Sequence, residues 1–282
     1  MSQVFRSLKS AVKRRFPGLV PAYGAVYRHL VLQPRLRRMS AAEVFETIYR
    51  TRGWEGIESP SGRGSTLTET TVVREALPQL VADFDILSML DIPCGDGHWM
   101  VQVAMHLERY VGADIVEDLV ADCRARWPKS TSSVAEFIRL DLINDRLPQV
   151  DLVFCRDCLV HLSFANAIKA LENIKASRSS YLLTTTFPGR RNSDIATGEW
   201  RVIDLQAKPF RFPPPLRIFN EHCVDPPGYS DKSMGLWRIA DLPNFDKAVN
   251  PRTAMKRYLF GAVSRAFAAK TAGGRKNSAQ TR

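Results

Sequence analysis

Leu90-Asp-Ile-Pro-Cys-Gly-Asp-Gly97 is the stretch whose reading decides the fold. The apolar run Leu87–Ile92 leads into it as a strand, small residues turn the backbone, and His98 to about His106 reads as the helix that follows. Gly95 and Gly97 let the backbone approach a ligand closely. A dinucleotide fingerprint would want another glycine at position 100, where Met100 stands, and Pro93 replaces the first glycine of the usual turn. Asp91 at the strand end points the same way, because a carboxylate attracts an ammonium group and repels a phosphate. The wall made by Asp91, Pro93, Cys94, Gly95 and Gly97 therefore suits an amino-acid zwitterion with a sulfonium, not a pyrophosphate.

Outward from this turn, strand-like and helix-like segments alternate. Arg109–Asp114 is a strand, Val116–Trp127 a helix closed by Pro128, and Phe137–Asp141 and Asp151–Asp157 are strands. Phe164–Ala176 is a helix and Tyr181–Phe187 a fifth strand. This alternation predicts an α/β fold with a doubly wound, mostly parallel sheet, whose ligands sit beyond the carboxyl ends of the strands. Upstream, Ala41–Arg50 and Thr66–Ala82 read as helices around a Gly/Ser-rich loop, 53–65. Downstream, a long polar loop (188–206) and a stiff proline bridge (Pro209, Pro213, Pro214, Pro215) lead to two late strand-like pieces, Leu216–His222 and Leu236–Ile239.

The chain has 282 residues, 45% hydrophobic and 24% charged, which excludes wholesale disorder. No run of eighteen apolar residues and no secretory signal is found, and five cysteines suggest reduced thiols in a cytoplasm. The net charge of +11 is unevenly placed: residues 1–40 hold nine Lys/Arg and no acid, and residues 247–282 repeat that count. The body, 41–246, holds 22 basic and all 29 acidic residues. We therefore divide the chain into a basic N-terminal arm (1–40), a catalytic body (41–246), and a basic C-terminal helix with a disordered tail (247–282). In the first arm Val4, Phe5, Leu8, Val12 and Phe16 recur at helical spacing, as in a basic amphipathic helix at an anionic membrane surface. An organelle targeting segment has the same composition.

Asp114 ends the second strand 17 residues after Gly97, where a carboxylate can accept both hydroxyls of a ribose; Asp141 ends the third, placed to meet an adenine amino group. An acid at a strand end also serves as a cap, so the reading rests on all three acids standing in order with the turn. Cys155-Arg-Asp-Cys-Leu-Val-His161 closes the fourth strand. Asp157 and His161 are four apart and share a face if a helical turn begins here, so that Asp157 orients His161 and His161 takes a proton from an acceptor hydroxyl. In the competing reading His161 is a structural residue beside the ligand. One half of the Cys155/Cys158 pair lies in a strand and no second pair follows, so no metal site is expected. Ser61 and Ser65 lie in a small, hydroxyl-rich loop that can act as a lid, with Trp54 before it, or as a plain linker. Asn192, Asp194, Trp200 and Arg201, with Glu199, populate the long loop, where a Trp among polar residues suits sugar recognition.

From Ser88 to Ile239 the sequence resembles the class I S-adenosylmethionine-dependent methyltransferases. The resemblance implies a Rossmann-like sheet with a late antiparallel strand, and S-adenosyl-L-methionine held by Asp91, Gly95, Gly97, Asp114 and Asp141. A narrower similarity over about 41–240, carried by Ser59–Ser65, Asp91–Asp96, Cys155–Leu162 and Gly198–Arg201, points to a bacterial subgroup associated with polysaccharide and glycoconjugate modification. The expected acceptor is a sugar hydroxyl of a glycolipid or polysaccharide precursor, at the inner face of the membrane. A small-molecule N- or O-methyltransferase, a nucleic-acid methyltransferase and a non-catalytic donor-binding protein are the alternatives. Nucleic acid is disfavoured, because the arms lack interleaved aromatics and no Asn/Asp-Pro-Pro-Tyr-type motif follows strand four. Oligomeric state is left open.

Overall fold

The computed structural model describes residues 28–54, 58–127, 134–223 and 228–245. The amphipathic helix expected between Val4 and Phe16 and the C-terminal segment 247–282 lie outside them. Strands β1 (Ser88–Asp91), β2 (Arg109–Asp114), β3 (Val134–Arg139), β4 (Leu152–Cys155), β5 (Tyr181–Thr186), β6 (Arg217–Asn220) and β7 (Ser233–Arg238) form one sheet in the order β3-β2-β1-β4-β5-β7-β6. The first five run parallel, and β7 pairs antiparallel with both β5 and β6. Every residue of β4, and all but the first of β1 and β5, is buried, as befits parallel strands covered on both faces. The strand order reverses direction between β1 and β4, and the crevice outside their carboxyl ends is where such sheets bind ligands.

Five α-helices accompany the sheet among the described residues: α1 (Gln33–Leu36), α2 (Ala41–Arg50), α3 (Thr71–Asp83), α4 (Glu117–Arg126) and α5 (Phe164–Ala176). Helix α2 starts at a capping box, Ser40 with Glu43, which satisfies two otherwise unpaired N–H groups. Helix α4 carries Glu117 and Asp118 in its first turn and Arg124 and Arg126 in its last, matching the helix dipole. Helix α5 is capped by Ser163 and buries Ala167, Ile168, Ala170, Leu171 and Ile174. None of the described helices is long and apolar enough to cross a membrane.

Two sequence expectations are corrected here. The helix expected over His98–His106 is a single 3-10 turn, Met100–Gln102. Val101 donates four residues back to Gly97, but Gln102 and Val103 donate only three residues back. Trp99, Met100 and Leu107 all enter the core, so this apolar pattern marks separate core contacts rather than one helical face. The helix expected from Thr66 begins at Thr71, because the Thr70 and Thr71 hydroxyls donate to the Thr66 and Leu67 carbonyls and hold a threonine-rich turn.

Candidate active site

A cavity of about 600 Å³ opens at the carboxyl ends of β1 and β4. Gly95 and Gly97 have φ of 57° and 64°, the left-handed region that glycine enters without strain. A Cβ at Gly95 would lie 2.4 Å from the Ser61 Oγ, so the loop 59–65 and the turn meet only because this residue is glycine. Asp114 pins the turn: its carboxylate accepts from the Gly95 N–H at 3.1 Å and the Val116 N–H at 2.9 Å. Asp91 accepts from the Tyr110 hydroxyl at 2.6 Å. Burial pushes Asp91 up to about 7, against the pull of Tyr110, and Asp114 up to about 6, against its backbone donors. Asp91, Pro93, Cys94, Gly95 and Asp114 all line the cavity, whereas Gly97 shapes the turn from behind, against Trp127 and Cys123. Asp141 lines a neighbouring cleft of about 70 Å³ with Ile115, Leu142 and Cys158, and its carboxylate closes a turn by accepting from the Ile143 N–H and Asn144 Nδ2. Trp54, Pro93, Asp114, Asp157 and His161 border both spaces.

The end of β4 departs from the sequence reading. Asp157 sits at φ 53° and its N–H donates to the Thr185 Oγ1 at 2.8 Å. Its carboxylate meets Lys232 Nζ at 2.5 Å and Arg156 Nη1 at 3.3 Å. Arg156 in turn bridges to Glu221 at 2.6 Å and donates to the Gly64 carbonyl at 2.8 Å. Burial alone would raise the Asp157 carboxyl; Lys232 and Arg156 outweigh it and hold the group down at about 2. Asp157 is thus a fixed anion and a poor base, and the expected Asp157–His161 hydrogen bond is replaced by other partners. The turn between them, Leu159–His161, is 3-10 rather than α, which removes the four-residue face. His161 Nδ1 lies 3.0 Å from the Glu199 carbonyl instead. A carbonyl only accepts, so Nδ1 carries the proton and Nε2 keeps its lone pair. Burial lowers the imidazole's pKa, against the Glu199 carbonyl, so the ring is neutral at pH 7.

Around the rim, Ser61 and Ser65 line the cavity with Arg63 and Gly64. Ser59 and Ser61 tie this loop to Asp96 of the glycine turn. Trp200 also lines the cavity, 37% exposed, edge-on to Tyr229 at 4.7 Å and to Phe187 at 6.1 Å. Three residues expected beside it lie elsewhere. Asn192 is bonded to the backbone of Asp204 and Lys208, and Asp194 accepts from the Phe164 and Ile195 N–H groups. Arg201 is buried against the Leu159 and Val160 carbonyls with its guanidinium over Phe164. Their polarity serves the loop's own backbone, which a long buried connection must satisfy. Arg156, Lys232, Glu221 and Tyr229 were not singled out by sequence; only the acid–base pair Arg156-Asp157 at a strand end signalled the first of them. Among the described residues no His/Cys/Asp/Glu group is suited to hold a metal ion.

Residues 90–178 match a protein family described as a methyltransferase domain. Among solved structures, the N-methyltransferase NodS from Bradyrhizobium japonicum WM9, in complex with S-adenosyl-L-homocysteine, is similar with a TM-score of 0.50 at 13% identity, over 71% of this chain and 99% of that one. Magnesium protoporphyrin IX methyltransferase (ChlM) from Synechocystis PCC 6803, with bound SAM, is similar with a TM-score of 0.44 at 19% identity, over 56% of this chain and 81% of that one. No curated protein matches the chain. At these identities the likeness to solved structures concerns the fold. Sheet order, glycine turn and family match agree: the segment 90–178, similar to a methyltransferase domain, is set in a seven-stranded Rossmann-like sheet with a late antiparallel strand.

Proposed function

We propose that the enzyme methylates a sugar hydroxyl of a glycolipid or polysaccharide precursor, with His161 as the base. The observation that carries this reading is the neutral His161, its Nδ1 committed to the Glu199 carbonyl, in the same cavity as Asp91 and Asp114. The residues present fit S-adenosyl-L-methionine: Gly95 leaves room where a Cβ would collide, and two buried carboxylates face the space. Asp91 would hold the ammonium group, Asp114 the ribose hydroxyls and Asp141 the adenine edge, with Pro93, Cys94 and Gly97 shaping the turn. When bound, the donor supplies an electrophilic methyl group on a sulfonium. An alkyl hydroxyl is a weak nucleophile, and His161 Nε2 takes its proton as the oxygen attacks. The fixed anion at Asp157 favours the imidazolium that results. Trp200 and Tyr229 offer aromatic faces to sugar C–H groups, while Ser61 and Ser65 offer hydroxyls.

Incubation of the purified chain with methyl-labelled donor and a glycolipid fraction tests the reading. It predicts base-stable label, as a methyl ether, in the released sugars. Label in RNA, or donor binding without transfer to any fraction, overturns it.

Two narrower results are expected. Asp114→Ala weakens donor binding by roughly 1.5–3 kcal/mol, the scale for losing a charged hydrogen-bond acceptor, in a chain that still folds. Calorimetric titration decides it, and an unchanged affinity removes Asp114 from the site. The second result concerns the arms, which we propose hold the enzyme at an anionic membrane. Full-length protein co-sediments with anionic liposomes at low salt, deletion of residues 1–27 reduces this without changing donor affinity, and added salt weakens it. Equal recovery of both forms in the supernatant rules the membrane partner out.

A further inference from the structure

Glu199 makes two connections that its place in a polar loop does not require. Its backbone carbonyl receives His161 Nδ1 at 3.0 Å. Its carboxylate, 3% exposed, receives Gln33 Nε2 at 2.9 Å and the Nε of Arg28, both from the segment 28–36 that precedes α2. Among the described residues Arg28 is the cation paired with this carboxylate. A buried carboxylate needs such a partner, so the segment is held where Glu199 can reach it.

The turn around Glu199 is stiff. Its carboxylate also accepts from the Ala196 N–H at 2.9 Å, and its own N–H donates to the Ala196 carbonyl at 3.0 Å. The Gly198 N–H donates to the His161 carbonyl at 2.8 Å, so turn and imidazole are joined by two opposed hydrogen bonds. Gly198 lies at φ 96°, and a Cβ there would come within 2.4 Å of Val44 on α2. Little slack remains between the segment, the turn and the ring.

We propose that Glu199 is a positioning residue that couples the segment Arg28–Leu36 to the base: docking of Arg28 and Gln33 on its carboxylate holds its carbonyl where it fixes the His161 tautomer with Nε2 free. The inference rests on His161 being the base. Other groups act on the same ring. Asp157 belongs to its own turn, Arg201 follows Glu199, Lys232 precedes β7, and the Trp54 ring lies 5.1 Å away. None of them accepts from Nδ1, so the tautomer is set by Glu199.

The test uses the full chain labelled with ¹⁵N in its five histidines, the His161 signals being assigned with His161→Gln. In the wild type at pH 8 the ring shows a protonated Nδ1 and a bare Nε2. In Glu199→Gln and in Arg28→Ala the two nitrogens move toward averaged shifts, as tautomers exchange, and the ring's titration midpoint falls further below its ordinary value, because the lost acceptor favours the charged ring. Arg28→Lys restores the wild-type pattern, because a cation again reaches the carboxylate. Wild-type shifts and midpoint in both Arg28→Ala and Glu199→Gln overturn the coupling, as does a protonated Nε2 in the wild type. Arg28 is half exposed, so its replacement keeps the test open should Glu199→Gln fail to fold. No acceptor is needed for this readout. Normal turnover by His161→Ala would overturn the base reading with the ring signals untouched, which separates the two failures.

Discussion

His161→Ala lowers turnover on the true acceptor by about 10²–10⁴-fold and leaves donor affinity nearly unchanged. That range is the usual contribution of a positioned general base. The ring borders both the larger cavity and the neighbouring cleft, its Nδ1 is held by the Glu199 carbonyl, and burial keeps it neutral. A neutral imidazole with one nitrogen committed has a single free lone pair to offer. The nearest alternative base, Asp157, is held ionised far below neutral pH by Lys232 and Arg156 and has little affinity for a proton. Single-turnover kinetics with saturating donor separates the loss from binding. The pH dependence adds a sign: activity falls as pH drops through the depressed imidazole value, where the lone pair becomes protonated. Normal single-turnover rates in the mutant would make the ring structural and return the search for a base to the acceptor side of the cavity.

What could be read from sequence follows from how local each signal is. Ala41–Arg50, Arg109–Asp114 and Phe164–Ala176 fall where expected, because caps and periodicity lie within a few residues of each boundary. The cavity wall beside the glycine turn was equally legible, since Asp91, Pro93, Cys94 and Gly95 are neighbours in the chain and Asp114 ends the adjacent strand. The opposite wall was not. Lys232 is 75 residues from Asp157 and Glu221 is 65 from Arg156. They meet only because β7 turns back beside β5 with β6 outside it. Nothing in the residues around Lys232 announces that return. Asn192, Asp194 and Arg201 misled for the opposite reason: their composition suggests a binding loop, yet their side chains bond to backbone groups. Composition alone cannot separate a polar side chain that faces a ligand from one that completes a buried turn. Of that loop's predicted residues, Glu199 and Trp200 reach the cavity.

Asp91→Asn is expected to stabilise the free protein at pH 8 while destroying its response to donor. The carboxyl is 2% exposed and sits at about 7, against about 3.9 in an unfolded chain. Between these values the unfolded chain has released the proton and the folded one has kept it, so the folded state binds more protons and stability falls as pH rises. The loss is complete above pH 7 and amounts to about 4 kcal/mol at most. Asparagine carries no charge to bury, and its Oδ1 can still accept from Tyr110, whose hydroxyl lies 2.6 Å from the native carboxylate. The mutant should therefore melt close to wild type at pH 4 and clearly above it at pH 8. Saturating S-adenosylmethionine reverses the order at pH 8, because binding to the folded state raises only the wild type's stability appreciably. The buried charge is thus a cost in the free enzyme that a cationic ligand offsets, which is a reason for an acid at this position where packing alone would favour an amide. Thermal unfolding at the two pH values, with and without donor, gives four comparisons. A mutant less stable than wild type at pH 8 without donor, or one that donor stabilises as strongly, would show that Asp91 is a structural partner of Tyr110 and not the ammonium site.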